Sequence, residues 1–360
     1  MLPLTLAVTQ VHNKYPIRYI FASKFVSRQK ERVTLADVAQ KADVSAMTVS
    51  RVLNNKDGIS ETTREHVLSI MQDLGYRPNR VARSLATAQT LKIGIVIPSI
   101  SSAYFGAVLE GAERVLWDNG YHILLCNSAN SKKREQAILD LFEEDRVDGV
   151  MVFSAHLPCD QLTSYLKKQR AAVAVNCEVE PGAAECVVTN EMQSMSLAVA
   201  HLLKDGRRHL GYVGQTINSR TTRERQRSFV LAMQAAGFAP DLERMMASDR
   251  GSGYLTARRL LEKAPEIDGL ICFNDEFAAG ALRACYELGR RVPDDVAVIG
   301  YDDIFLAELL TPSLTTLRLE LTKPEVGALA ARMLLERIAG RPTQDRFMLK
   351  HELIVRESAP

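Results

Sequence analysis

The stretch "DVSAMTVSRVLNN", residues 43–55, puts two chemistries on one short segment. On a helical wheel, at about 100° per residue, Val49, Val52 and Leu53 fall on one side and Met47, Ser50, Arg51 and Asn54 on the other. The first set can bury itself. The second has no comparable apolar partner, and it carries one long planar donor among short hydroxyl and amide groups. Ser45 is a natural N-cap for this helix. Upstream, "TLAD" starts another helix, with Thr34 as N-cap, Asp37 at N3 in a box-like arrangement, and Leu35, Val38 and Ala39 as an inward stripe. Downstream, a third helix runs from about Glu61, after Ser60, through Val67, Leu68 and Met71 to Gly75 at a C′ position. A capped helix, a tight turn and a two-faced helix together predict a helix-turn-helix whose second helix is the reader. Arginine can grip guanine O6 and N7 in the major groove, while Ser, Thr, Asn and a methyl-bearing side chain contact phosphates or base edges.

Charge placement agrees. The net charge is only +2, yet residues 1–92 hold 14 Lys and Arg against 7 Asp and Glu, and residues 93–360 hold 31 against 36. A basic head on an acidic body fits a chain that meets a polyanion at one end. Six cysteines are scattered with no CxxC spacing and no histidines at metal-ligand distance, which predicts reduced, mostly buried thiols in a cytoplasmic protein with no metal and no cofactor. Residues 1–31 show no sustained periodicity and are expected to be a poorly ordered extension. The opening "MLPLTLAVTQVHNK" makes a poor signal peptide, and no stretch approaches the ~18 apolar residues of a membrane span.

From Leu91 the texture changes to short apolar strands alternating with amphipathic helices: "KIGIVIP", a helix around Gly106 to Asn119, "HILLCNS", a helix around Lys132 to Glu144, "VDGVMVFS", then "AAVAVNC", "CVVTN", "HLGYVG", "IDGLICFND" and "VAVIGYDD". This pattern predicts parallel sheets covered on both faces. About 270 residues of it suit two α/β lobes with a cleft between them. Ligands in such folds sit beyond the carboxyl ends of strands. Tyr104 and Phe105 follow the first core strand, Arg225 lies near a helix start, Asn274 ends "LICFN" and Asp302 ends "VIGYD". Forked donors and acceptors of this kind suit vicinal hydroxyls, with aromatic faces for a sugar ring.

The motifs "VTLADVAQKADVSAMTVSRVLNN", "ISETTREHVLSIMQDLGYRPNRVARSLAT" and "VAVIGYDD" closely resemble those of the lactose/galactose repressor (LacI/GalR) family, over a span from about Arg32 to "ELIVRESA". The resemblance implies an N-terminal all-α helix-turn-helix domain at 32–78, a hinge helix or linker at 79–90, and a periplasmic-binding-protein-like effector-binding and dimerisation core at 91–360. Its N-lobe is expected at about 91–189 and 320–341, its C-lobe at about 190–319 and 342–360. By resemblance, Ala46 and Met47 vary with operator sequence and Arg51 contacts a base. Thr34, Ser45, Thr48, Ser50 and Asn54 hold phosphates or support readout.

"NRVARSLAT" is too short to stay helical alone in water. In the family, paired hinge helices enter the minor groove, where Leu85 matches the residue that wedges open a base step, with Ala82 on the same side and Asn79 and Arg80 near phosphates. Arg225, Asn274 and Asp302 match the family's effector-contacting residues. Arg250 departs from the pattern, standing where many sugar-binding relatives carry an aromatic. With Arg220 and Arg223 nearby in sequence, it points to a carboxylated or phosphorylated sugar.

The expected protein is therefore not an enzyme: GxSxG, Walker and paired-carboxylate motifs are absent from the sequence. It is expected to be a repressor of carbohydrate-utilisation genes, a homodimer on a pseudo-palindromic operator in double-stranded DNA, released by a small sugar or sugar acid. A co-repressed regulator, whose ligand strengthens DNA binding, and a solute-binding receptor are the alternatives.

Overall fold

The computed structural model describes residues 33–54, 56–77, 84, 87, 89–216, 219–238, 245–249, 252–342 and 344–360. Contacts divide the chain into two compact units, residues 1–83 and 84–360.

In the first unit, α1 (Leu35–Lys41), α2 (Ala46–Leu53) and α3 (Glu61–Asp73) begin on Thr34, Ser45 and Ser60, each of whose hydroxyl oxygens accepts a backbone N–H three residues on. Thr34 and Asp37 form the reciprocal capping box. The chain turns between α1 and α2 through Asp43, at φ 52°, and leaves α3 through Gly75, at φ 61°. Val38, Ala39, Ala42, Val49, Val52, Val67 and Met71 bury together, so the apolar sides of three short helices share one core.

The second unit holds two six-stranded sheets. The first lobe contains β1 (Lys92–Ile97), α4 (Ala103–Asp118), β2 (His122–Asn127), α5 (Lys132–Glu144), β3 (Gly149–Phe153), α6 (Cys159–Leu166), β4 (Ala172–Val175) and β5 (Glu185–Thr189). The second contains α7 (Glu191–Lys204), β6 (Leu210–Gln215), α8 (Arg220–Ala235), β7 (Met246–Asp249), α9 (Gly253–Lys263), β8 (Gly269–Cys272), α10 (Asp275–Glu287), β9 (Ala297–Tyr301), α11 (Leu306–Leu309) and β10 (Thr315–Leu319). The chain then returns through α12 (Lys323–Ile338) and β11 (Arg346–Leu349) to the first lobe, and ends with β12 (His351–Ile354) in the second.

Strand orders are β2-β1-β3-β4-β5-β11 and β7-β6-β8-β9-β10-β12, the same winding twice. All pairings are parallel except β12 against β10. Strands buried along their whole length, such as β3, β4 and β9, explain the continuous apolar runs in the sequence.

One boundary moves. The expected N-lobe segment 320–341 extends through Leu349, because β11 pairs with β5 of the first sheet from Arg346↔Cys186 to Leu349↔Thr189. The last crossover is therefore at Lys350, where the Lys350 N–H donates to Glu320 Oε1 at 2.9 Å and its carbonyl accepts from the Glu320 N–H at 3.0 Å. Two four-residue strands separated by a single residue offer no turn signal, so "RFMLKHELI" reads as one run. Helix α4 begins at Ala103, one turn ahead of the expected Gly106.

In the first lobe α4 and α12 approach to backbone contact. A Cβ at Gly111 would stand 1.8 Å from the Pro324 carbonyl oxygen, and one at Gly327 1.8 Å from that of Val108. Among the described residues, no helix is long and apolar enough to cross a membrane.

Candidate functional site

Two places carry unspent chemistry. The first is the outer face of α2. Val49 and Val52 are buried, while Met47 is 70% exposed and Arg51 and Asn54 face solvent. An apolar side chain left this open packs little against the described residues of the domain. Ser45 Oγ accepts the Thr48 N–H at 3.0 Å and lies 2.9 Å from its hydroxyl. Asn54 donates through Nδ2 to the Ser50 carbonyl at 2.8 Å. Thr34 is occupied with Asp37. The polar residues expected to hold phosphates thus also fix their own helix ends. Arg51 differs: its guanidinium makes no hydrogen bond or ion pair with another described residue. Ala46 and Met47 at the first turn and Arg51 one turn later, the residues expected to meet base edges, are all exposed. Asn79, Arg80, Ala82 and Leu85 lie outside the described residues.

The second place is a cavity of about 340 Å³ between the lobes, at the small end of ligand pockets. Its walls are the residues that follow strand ends: Pro98 after β1, Ser154 after β3, Asn176 after β4, Gln215 at the end of β6, Phe273 and Asn274 after β8, and Asp302 after β9. Nine non-glycine described residues have positive φ, and four of them, Asn130, Ser154, Asn176 and Asp302, line this cavity. Backbone strain of this kind persists where surrounding structure fixes it, and it gathers at ligand sites.

Of the residues expected at the effector site, Tyr104, Phe105, Arg225, Asn274 and Asp302 all line the cavity. Tyr104 and Phe105 pack edge to face, with ring centroids 5.3 Å apart. Asn274 also caps α10, its Oδ1 accepting the Phe277 N–H at 2.9 Å. Arg225 is 5% exposed. Its guanidinium lies 3.4 Å from the centroid of the Tyr301 ring, donates to Glu191 Oε2 at 3.3 Å and to the Phe273 carbonyl, and reaches Asp302 Oδ1 at 3.5 Å. Arg250 lies outside the described residues.

Electrostatics follow from this burial. Desolvation alone would pull the Arg225 pKa down, but Glu191, then Tyr301 and Asp302, hold it above the ordinary value. Burial pushes Glu191 up, and Arg225, His351 and hydrogen bonds from Thr189 and Tyr301 outweigh it, leaving the carboxyl below its usual range. Asp302 is raised, because burial there exceeds the pull of Arg225. Behind it, desolvation and then Asp302 push Asp275 up to about 7, against hydrogen bonds from the Thr316 hydroxyl and Ile304 N–H.

Sequence reasoning missed Ser154, His156, Asn176, Gln215 and Glu276 in this cavity. The available signal was position: each except His156 and Glu276 stands at or just past a strand's carboxyl end. Among the described residues no group of three His, Cys, Asp or Glu is placed to hold a metal ion. Cys177, Cys186, Cys272 and Cys285 are buried free thiols.

Comparison with known proteins agrees with both halves. Residues 34–79 match the bacterial regulatory proteins of the lacI family, and residues 199–359 match a periplasmic binding protein-like domain. The HTH-type transcriptional repressor PurR of Serratia proteamaculans is 34% identical over 333 residues, covering 90% of this chain and 96% of the relative. A complex of the transcriptional regulator CelR with cellobiose superposes with a TM-score of 0.68 at 29% identity, covering 91% of this chain and 100% of that one. The Lac repressor bound to ONPG in its repressed state gives 0.80 at 25% identity, covering 91% and 100%.

Proposed function

Because the chain belongs to the lacI family of bacterial regulatory proteins and is a DNA-binding transcriptional regulator, we propose that it represses carbohydrate-utilisation genes and leaves its operator when a small sugar or sugar acid fills the interlobe cavity. The observation that carries the reading is the cavity itself, walled by strained strand-end residues from both lobes, with Tyr104 and Phe105 on one side and Arg225, Asn274 and Asp302 on the other. Its aromatic faces and forked polar groups suit a hydroxylated ring. The cellobiose and ONPG found with two structural relatives support a sugar-like ligand.

In this account Arg51 reads a guanine, Ala46 and Met47 contact neighbouring base edges, and Thr34, Ser45, Thr48, Ser50 and Asn54 position the helix on phosphates. Segment 79–90, with Asn79, Arg80, Ala82 and Leu85, acts as the minor-groove hinge. One reading helix covers half a site, so two chains act together on a pseudo-palindrome in the cytoplasm. A ligand shifts this equilibrium only through unequal affinity for the DNA-competent and released states. Binding sites selected from random DNA, followed by gel shifts with a panel of pentoses, hexoses and sugar acids, test the proposal. Loss of the shifted band with one ligand supports it, and a stronger band reverses its sign to co-repression. No change with any panel member, including one shown by calorimetry to bind, refutes it.

A further inference from the structure

A second cavity of about 270 Å³ shares His156 with the effector cavity. Its chemistry is different: Lys132, Arg220 and Arg223 line it, against one lining carboxylate, Glu178. Three helices start on its wall, since Lys132, Cys159 and Arg220 are the first residues of α5, α6 and α8. Ser131 and Ser219 cap α5 and α8, but α6 starts after Pro158 with no side-chain cap, so its first-turn N–H groups lack that partner. Converging helix N-termini and cations form a field that favours an anion.

Two side chains at the same spot, one buried and one partly buried, hold buried nitrogen atoms without hydrogen-bond partners. The His156 side chain is 4% exposed, and neither ring nitrogen has a hydrogen-bond partner. Glu135 lies 3.5 Å from Nδ1, but its oxygens are taken by the backbone N–H groups of His156 and Leu157, at 2.9 and 3.1 Å. Arg220, with its side chain 11% exposed, stands 3.1 Å from Glu178 across the cleft without hydrogen-bond geometry, which leaves Nε and Nη1 unbonded. Buried donors without partners are costly, and a ligand oxyanion is the group that would satisfy them.

We propose that this second cavity is an anion subsite, and that the natural effector is a sugar carrying a carboxylate or phosphate, its ring in the first cavity and its charged end between His156, Arg220, Lys132 and Arg223. This rests on the effector reading above and specifies it. The subsite spans the cleft, with Lys132 and His156 on one lobe and Arg220 and Arg223 on the other, so the anion also ties the lobes together.

The test is calorimetry on the full chain with D-glucose, D-gluconate, D-glucose 6-phosphate and inorganic phosphate, repeated on Lys132→Gln/Arg223→Gln. The proposal expects an anionic sugar to bind at least tenfold more tightly than the neutral one in the wild type, and the double substitution to erase that advantage. Equal affinity for neutral and anionic sugars, or an advantage that survives the substitutions, overturns the subsite and leaves the sugar cavity standing. Phosphate binding that depends on Lys132 and Arg223, with no sugar bound, supports the anion site and removes the sugar reading instead. No binding by any of the four, inorganic phosphate included, overturns the anion subsite, and the sugar cavity is then decided by the wider panel.

Discussion

Replacing Arg225 with methionine tests whether the cleft is organised around one buried cation. Arg225 and Glu191 are 5% and 4% exposed, and the guanidinium is the closest positive charge to that carboxylate, at 3.3 Å. Methionine keeps most of the apolar volume under Tyr301 but strands Glu191 as a buried anion. Removing one partner of a buried pair costs about 3–5 kcal/mol. At roughly 2–4 °C per kcal/mol for a unit of this size, the melting temperature should fall by about 6–20 °C. The sign of the pH dependence is diagnostic. In the wild type Glu191 lies below its ordinary range, so its stabilisation is present above the unfolded pKa and fades as pH falls through the folded one. Without Arg225 the largest contribution opposing burial is gone, with only His351, Thr189 and Tyr301 left against it, so the folded pKa rises and the deficit shrinks on acidification. Calorimetric scans at pH 5 and 8, with Arg225→Met/Glu191→Gln as a partial rescue, measure this. A variant melting within 2 °C of the wild type, or a deficit that grows at low pH, refutes the reasoning.

Three further outcomes follow from other parts of the molecule. Arg51→Ala should cost about 1–3 kcal/mol on a selected site and much less on scrambled DNA, read by anisotropy at fixed salt; equal losses on both would assign Arg51 to phosphates. Gly327→Ala, whose Cβ meets the Val108 carbonyl oxygen at 1.8 Å, should destabilise the core by about 1–3 kcal/mol or more, and an unchanged melting temperature would contradict the backbone contact of α4 and α12. Asp275, raised to about 7, contributes stability that is full below its unfolded pKa and lost as pH rises towards 7, whereas His351, lowered to about 4 by burial, contributes stability that is lost as pH falls from 6.5. Asp275→Asn should expose the histidine's slope and make the variant melt progressively lower between pH 6.5 and 4. A flat profile there would rule out this opposition.

The sequence was most legible where structure is local. The caps Thr34, Ser45 and Ser60 and the apolar side of α2 depend on neighbours within one turn, and each appears where expected. The fully buried strands were also readable, because continuous apolar runs have no other use in an α/β chain. Strands β7, β10, β11 and β12 were not picked out: β10 contains an exposed arginine, and the others are four-residue runs that include a charged residue, Asp249, Arg346 or Glu352, unlike the equally short but uncharged β4 and β8. Cavity residues such as Ser154 and Asn176 owe their place to positive φ at strand ends, which composition does not report. Arg225 and its partner Asp302 were found, but Glu191 and Tyr301 were not, because Glu191 is 34 residues from Arg225 and meets Tyr301 across 110. The Arg220 expectation needed the opposite lobe: the cation gains meaning only beside Glu178 and His156.

The most direct measurement is operator affinity with and without a saturating effector, paired with effector affinity with and without saturating operator. Coupled sites must change each other's binding by the same factor, commonly about 5–150-fold. The account predicts such a loss of operator affinity, matched in the reciprocal titration and abolished when Arg225→Met prevents effector binding. Operator affinity that stays constant while the cavity is demonstrably filled would contradict it.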